Sequence, residues 1–412
     1  MADYLAILPG FFMCLMLLLM LVMDITIPEM FDKQYEDFEN IFALFNSLVI
    51  VCGIIFIVID VRKNKGLKSD IKSFVPFLLF AACIIISTCV NGITEEAIHG
   101  VSYRNIGVIH MLAFMIVYMG VSSRISRESF CRNFITGFLG LSILVAAAAI
   151  YDRYITPIPA FQAKKELSAI FFNGNHYGYF MVMAIMTGVG CFIFAKTKMA
   201  LFGAAAAIVN SFVLILNHSL GCILAVIVSI IIACVILGLR FKECRRRILY
   251  LIIGATIVLI AAIVFSTGVR QEILKLIADI NAVVGGNAPG STGHNRLKVW
   301  RLALEYIGEK PLLGHGCEGI SMRMYSETAI SNPHNEFLTY AAYYGIPAMI
   351  FYISGIFTTL IHGFSLDYNS YPGAIACLAV LGYAISSIFG VAMFYTTPFF
   401  FIFLGLSIKS YN

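Results

Sequence analysis

Apolar residues in this 412-residue chain come in long runs separated by short polar or charged interruptions. Each run is close to the 20 or so residues a helix needs to cross roughly 30 Å of hydrocarbon. The pattern predicts twelve spans, near 4–24, 40–61, 73–91, 105–121, 134–151, 176–195, 199–217, 219–238, 248–267, 335–361, 373–390 and 394–408. One interruption differs in kind, because residues 268–334 are too many for a passive connector and carry their own periodicity. Ile273, Leu276, Ile277, Ile280 and Val284 recur at helical spacing with Arg270, Lys275 and Asp279 between them, which predicts a helix lying on the membrane surface. Gly285 to Gly293 reads as a flexible break. Asn295 to Glu309 then predicts a second helix, with Leu297, Trp300 and Leu304 on one face, stopped by Pro311 and the Gly314-His315-Gly316 turn. Three regions follow: spans one to nine over 1–267, a large loop over 268–334, and spans ten to twelve over 335–412.

Composition makes the membrane reading firm. The chain is 60% hydrophobic and only 12% charged, with a mean hydropathy of +0.89, whereas a soluble surface needs about a quarter charged residues. Soluble enzymes, secreted disulfide scaffolds and coiled coils are excluded. The first run, Tyr4 to Val22, leads into an acidic loop without a small-residue cleavage site, so it is expected to be a span rather than a cleaved signal. Of 11 cysteines only Cys317 falls in the long loop, which argues against a structural disulfide.

Charge sets the orientation. With the N-terminus inside, inner segments hold sixteen of the 28 Lys and Arg and short outer loops hold five, the other seven lying in the long loop. Both termini are therefore expected in the cytoplasm and the long loop outside. No Lys or Arg falls within a predicted span, Asp24, Asp60 and Glu336 sit at span ends, and no internal repeat is visible, all of which argue against an ion-coupled carrier.

Candidate chemistry gathers at the outer face. Ser331-Asn332-Pro333-His334-Asn335 opens the tenth span, and a neutral imidazole on a rigid helix entrance suits a general base for a hydroxyl, although for a lone His an interfacial helix cap is the commoner role. Arg296 follows the glycine-rich break, where a guanidinium fork would match phosphate oxygens; the solvated face of a helix is the alternative. Seven basic and six acidic residues leave the loop without a general basic character, so any phosphate recognition must come from particular residues. Glu36, Asp37 and Glu39 could mark a metal-dependent transferase, but no second acidic cluster in the outer segments completes a metal site, and no cofactor is expected.

The arrangement Arg296, Trp300, Pro311 and Gly314-His315-Gly316, followed by His334-Asn335 with nine residues to Gly345, resembles the O-antigen ligase and polymerase family of bacterial envelopes. The resemblance implies a GT-C-like, all-α polytopic membrane protein with about twelve transmembrane helices and a large extracytoplasmic loop between spans nine and ten. It implies a glycosyltransferase of the bacterial cytoplasmic membrane that uses an undecaprenyl-pyrophosphate-linked glycan donor and a glycan acceptor without metal. A chain-length regulator is a further expected partner, and nucleic acid is not. His334 would be the base and Arg296 the pyrophosphate clamp. Asn335, Asn173 and Asn175 would be polar substrate contacts, though capping accounts for the last two equally well. Two places depart from the family pattern: Ala348 ends the motif after Gly345, and Leu220 stands where the family carries a second Arg. His218, Lys164, Lys165 or Arg270 would then supply the missing cation. Polymerisation is the expected activity and ligation to a lipid A core the alternative. A lipid-linked oligosaccharide flippase is the non-enzymatic rival, and spans without cations argue against it.

Overall fold

The computed structural model describes residues 2–26, 42, 46, 49, 71–101, 104–124, 128–162, 167–171, 173–286, 289, 292–293, 295–365 and 371–408. The second expected span (apart from Phe42, Asn46 and Val49), the acidic run Glu36 to Glu39, Lys164, Lys165 and His294 lie outside the described residues. The helices are α1 (Ala2–Thr26), α2 (Ile71–Asn91), α3 (Glu95–His99), α4 (Val108–Arg124), α5 (Glu128–Tyr154), α6 (Pro159–Gln162), α7 (Gly174–Phe194), α8 (Thr197–Asn217) and α9 (Leu220–Arg240). They continue as α10 (Arg245–Phe265), α11 (Thr267–Val284), α12 (Arg296–Glu309), α13 (Ser321–Thr328), α14 (Glu336–Tyr344), α15 (Ile346–Ser365), α16 (Tyr371–Ser386) and α17 (Thr397–Ser407). Nine helices among the described residues are long and apolar enough to cross a membrane, and no strand occurs among them. The protein is an all-α polytopic membrane protein.

Helices α7 and α16 form the centre. Small residues let the backbones close: a side chain at Gly188 would strike the Gly203 carbonyl of α8 at 2.5 Å, the close approach by which helices associate in lipid. By contrast α10 is apolar on all sides and largely exposed, from Leu249 to Phe265, as expected of a helix facing acyl chains.

Two predicted spans differ in the structure. The tenth is broken at Gly345, which adopts φ +93° with Leu312 packed where a side chain would project; α14 is a short buried helix and α15 makes the crossing. The twelfth is only the eleven-residue α17, every residue of which is buried. At 1.5 Å per residue it is about half a bilayer long. Its irregular lead-in is tolerated because protein surrounds it: Phe394 N–H donates to the Arg104 carbonyl, and Met393 N–H to Thr397 Oγ1.

The loop helices form where the periodicity places them, but the face assigned to α12 was wrong. Val299, Leu302, Ala303, Tyr306 and Ile307 are its buried stripe, whereas Leu304 is exposed and Leu297 and Trp300 are half-buried. The true stripe keeps the 3.6-residue period and packs against α13 and α14. The Gly314-His315-Gly316 turn docks on the end of α14, with His315 and Gly316 N–H donating to the carbonyls of Ala342 and Tyr343. Gly314, at φ +62°, lies so close to the Tyr343 backbone that no Cβ fits.

Candidate functional site

A cavity of about 840 Å³ opens between the membrane helices and the loop, walled by the starts of α7, α9 and α12, the end of α8 and the inner face of α11. Three helix N-termini thus converge on one space. Gly174 and Asn175 belong to α7, Ser219 to Gly221 to the start of α9, and Arg296 and Leu297 to α12, with Gly293 just before it. At α9 and α12 the N-cap residues, Ser219 and Asn295, make no side-chain capping bond, so the free N–H groups of these turns have no side-chain acceptor of their own. Convergent N-termini, each equivalent to about half a positive charge, make an anion site before any side chain is counted.

Side chains add to that field. Arg296 lines the cavity; its guanidinium lies 5.5 Å from the Phe389 ring, and Nη2 donates to the Phe389 carbonyl at 3.5 Å. The rest of its fork has no protein partner among the described residues. Arg153, at the end of α5, and Lys275 of α11 line the same space, Lys275 held by Glu272 at 2.7 Å. Asp279 also faces the cavity, where it accepts from the Gly293 N–H at 2.8 Å and ties the glycine-rich segment back to α11. Leu276, Ile280, Val283 and Val284 give the α11 wall an apolar surface. A mixed wall of cations and hydrocarbon suits a ligand with a charged head and an apolar tail.

His334 stands beside this cavity rather than in its lining. It occupies left-handed backbone at φ +49°, with its N–H donating to Asn332 Oδ1 at 2.9 Å. Trp300, which lines the cavity, donates its indole N–H to the Pro333 carbonyl at 3.0 Å. Burial lowers the pKa of the imidazole to about 4, and the charges of Arg296 and then Arg104 push the same way. The ring is therefore neutral at pH 7, with a lone pair available.

The other sequence candidates separate into two groups. Asn175 and His218 line the cavity with Arg296; Asn175 Oδ1 accepts from Ser219 Oγ at 2.8 Å, and His218 caps α8 in left-handed backbone with its ring against Gly268. Asn173 and Asn335 do not line it: their side-chain oxygens are the N-caps of α7 and α14, accepting from His176 and Leu338. Arg270 is likewise not brought to the cavity. It sits on the first turn of α11, beside the carbonyl end of α10, and its guanidinium donates to the Ile263 and Val264 carbonyls.

Sequence reasoning missed four residues. Arg153 was counted only as a loop charge, and Lys275 only as part of the polar face of α11. Arg104, expected in an outer loop, is 1% exposed; it pairs with Glu318 and donates to Ser331 Oγ. Glu336, expected at a span end, is 1% exposed and takes hydroxyl donors from Tyr340 and Tyr352 on Oε1 and from Tyr383 and Ser387 on Oε2. Burial pushes the pKa of this carboxyl up, and the four hydroxyls around it pull the other way. The signal for Glu336 was the tyrosine spacing at 340, 352 and 383, which reads as apolar filling until the helices are packed.

Residues 204–353 match the family described as O-antigen ligase. This stretch runs from α8 into α15 and contains His218, Leu220, Arg296, Trp300 and His334. Comparison with curated proteins gives no match. The matched segment supplies most of the cavity and the whole His334 turn, and it supports the likeness of this chain to the O-antigen ligase and polymerase family.

Proposed function

We propose that the protein is a glycosyltransferase of the bacterial cytoplasmic membrane, with both termini in the cytoplasm. It polymerises undecaprenyl-pyrophosphate-linked oligosaccharide at the outer face. The observation that carries this reading is the convergence of three helix N-termini and Arg296 on one cavity, with His334 tethered next to it by Trp300. The pyrophosphate occupies the cationic end of the cavity, and the first isoprene units lie along Leu276, Ile280 and Val283.

The acceptor hydroxyl approaches His334. As its oxygen bonds to the anomeric carbon, the imidazole takes the proton and the bond from that carbon to the pyrophosphate oxygen breaks. A base depressed this far is weak, so it acts as the proton becomes acidic in the transition state rather than before it. Charge develops on the leaving pyrophosphate, beside Arg296, Arg153 and the helix N-termini that line the cavity, with Lys275, paired to Glu272, on the same wall. In this reading these groups meet the charge of the leaving pyrophosphate and the transfer runs without a metal.

Ligation is the second reading, favoured by the description of the matching family as O-antigen ligase; base and clamp are the same, and only the acceptor differs. Purified protein supplied with radiolabelled undecaprenyl-pyrophosphoryl oligosaccharide separates the outcomes. A ladder identifies a polymerase, one unit transferred to an added lipid A core identifies a ligase, and no transfer to any acceptor overturns the proposal. Activity should persist in excess chelator, whereas a strict divalent-ion requirement would move the chemistry to Glu36, Asp37 and Glu39.

A further inference from the structure

We infer that Trp300 is a positioning residue for the base: one indole is both a wall of the donor cavity and the tether of the His334 turn, so donor binding and the aim of the imidazole are coupled through it. This rests on the reading of His334 as base and of the cavity as donor site.

The argument begins with a single peptide group. The Pro333 carbonyl and the His334 N–H are the two polar ends of one planar unit. Trp300 Nε1 donates to the carbonyl at 3.0 Å, and Asn332 Oδ1 accepts from the N–H at 2.9 Å. Both ends are clamped, so the plane cannot rotate without losing a hydrogen bond, and the plane sets φ of His334. That φ is +49°, a region a residue with a side chain rarely occupies unless its surroundings hold it there. Proline has no N–H, so this carbonyl is the only backbone group through which Pro333 can be held. Of the two clamps, Asn332 is local to the turn, and Trp300 alone connects it to α12.

The same side chain faces the cavity. Trp300 is one helical turn beyond Arg296, so the two share a face of α12. It stays half-buried although it is the largest side chain on the helix, outside the stripe that packs the loop. A ligand gripped by Arg296 therefore meets the indole, and the indole holds the base. Phenylalanine could fill the cavity wall, but it could not hold the carbonyl.

The test uses the full-length protein in detergent. Trp300→Phe keeps the ring and removes the donor; kcat should fall about 10- to 100-fold, the loss that a misaimed catalytic group produces, while KM for the donor stays within about twofold. Asn332→Ala releases the other end of the same peptide and should show the same split, which also serves if Trp300→Phe fails to fold. Trp300→Leu should additionally raise KM. Because the chain has one tryptophan, undecaprenyl pyrophosphate titrated into wild type should shift the emission directly, and it should do so equally in His334→Ala. Wild-type kcat in Trp300→Phe, a defect confined to KM, or emission indifferent to saturating undecaprenyl pyrophosphate would overturn the inference. An active His334→Ala would instead remove the base reading itself; an inactive His334→Ala beside a fully active Trp300→Phe removes the coupling alone.

Discussion

Arg296 is the residue whose replacement tests the site most sharply. Its guanidinium makes one long bond to Phe389 and stacks on that ring, so truncation breaks no strong protein contact and folding should survive. On the proposed mechanism, what is lost is the grip on the leaving group. A bidentate fork supplies two charge-assisted hydrogen bonds at roughly 1.5–3 kcal/mol each. Arg153, Lys275 and the helix N-termini remain to take part of that load. The net loss for Arg296→Ala is then about 2–4 kcal/mol, or roughly 30- to 1,000-fold in initial transfer rate at saturating donor. Arg296→Lys keeps the charge but neither the fork nor the stacking, and should be impaired nearly as badly. Leu220 lines the same cavity from the first turn of α9. Leu220→Arg should therefore restore part of the rate lost in Arg296→Ala, and only part, because a cation at a helix N-terminus works against the dipole by about 0.3–1 kcal/mol. Full activity in Arg296→Ala would show that Arg296 is a solvated helix residue and that the cavity is not a pyrophosphate site.

Three further outcomes follow from the geometry. His334→Ala should abolish transfer while donor binding persists, measured as retention of radiolabelled donor; near-normal turnover would end its assignment as base. The acid limb of the kcat profile should lie near pH 4, since the proposed base must be neutral and burial, Arg296 and Arg104 all disfavour the imidazolium. Removing the Arg296 charge relieves one of those causes, so in Arg296→Ala the limb should move to higher pH, and a limb that stays put would deny the proximity of the two groups. Glu336→Gln replaces one acceptor oxygen by a donor amide and leaves two buried hydroxyls facing N–H; at about 1–3 kcal/mol for each unsatisfied group, the melting temperature in detergent should drop clearly, and an unchanged melt would contradict the hydroxyl cage.

Hydropathy exposed the membrane class and most of the crossings because a lipid-facing helix must be apolar for some twenty residues whatever its neighbours are. It failed at α14 and α17, which are apolar because protein buries them, a cause that leaves the same trace in sequence. The periodicity of α11 and α12 was legible, but the inward face of α12 was not, since Leu297 and Trp300 are apolar for the sake of a cavity rather than a core. The motif pointed to Arg296, Trp300 and His334, which the structure does bring together. Asn173 and Asn335 cap helices, a role that residue type does not separate from sugar binding, because both use the same oxygen. Arg153 was invisible for a different reason: the cavity draws it from α5, more than a hundred residues from Arg296.

The cage around Glu336 also constrains how the chain is made. Its four hydroxyls come from residues 340, 352, 383 and 387, all downstream of the carboxylate they hold. When α14 leaves the ribosome, its charge has no completed shelter, and a lone carboxylate is costly to place in hydrocarbon. Half of the donors arrive only with Tyr383 and Ser387, so the cage is complete only once the end of α16 is in place, and the chain from α14 onward is expected to seat as one unit. A chain truncated after α15 should leave α14 open to added protease, and the full-length chain should protect it.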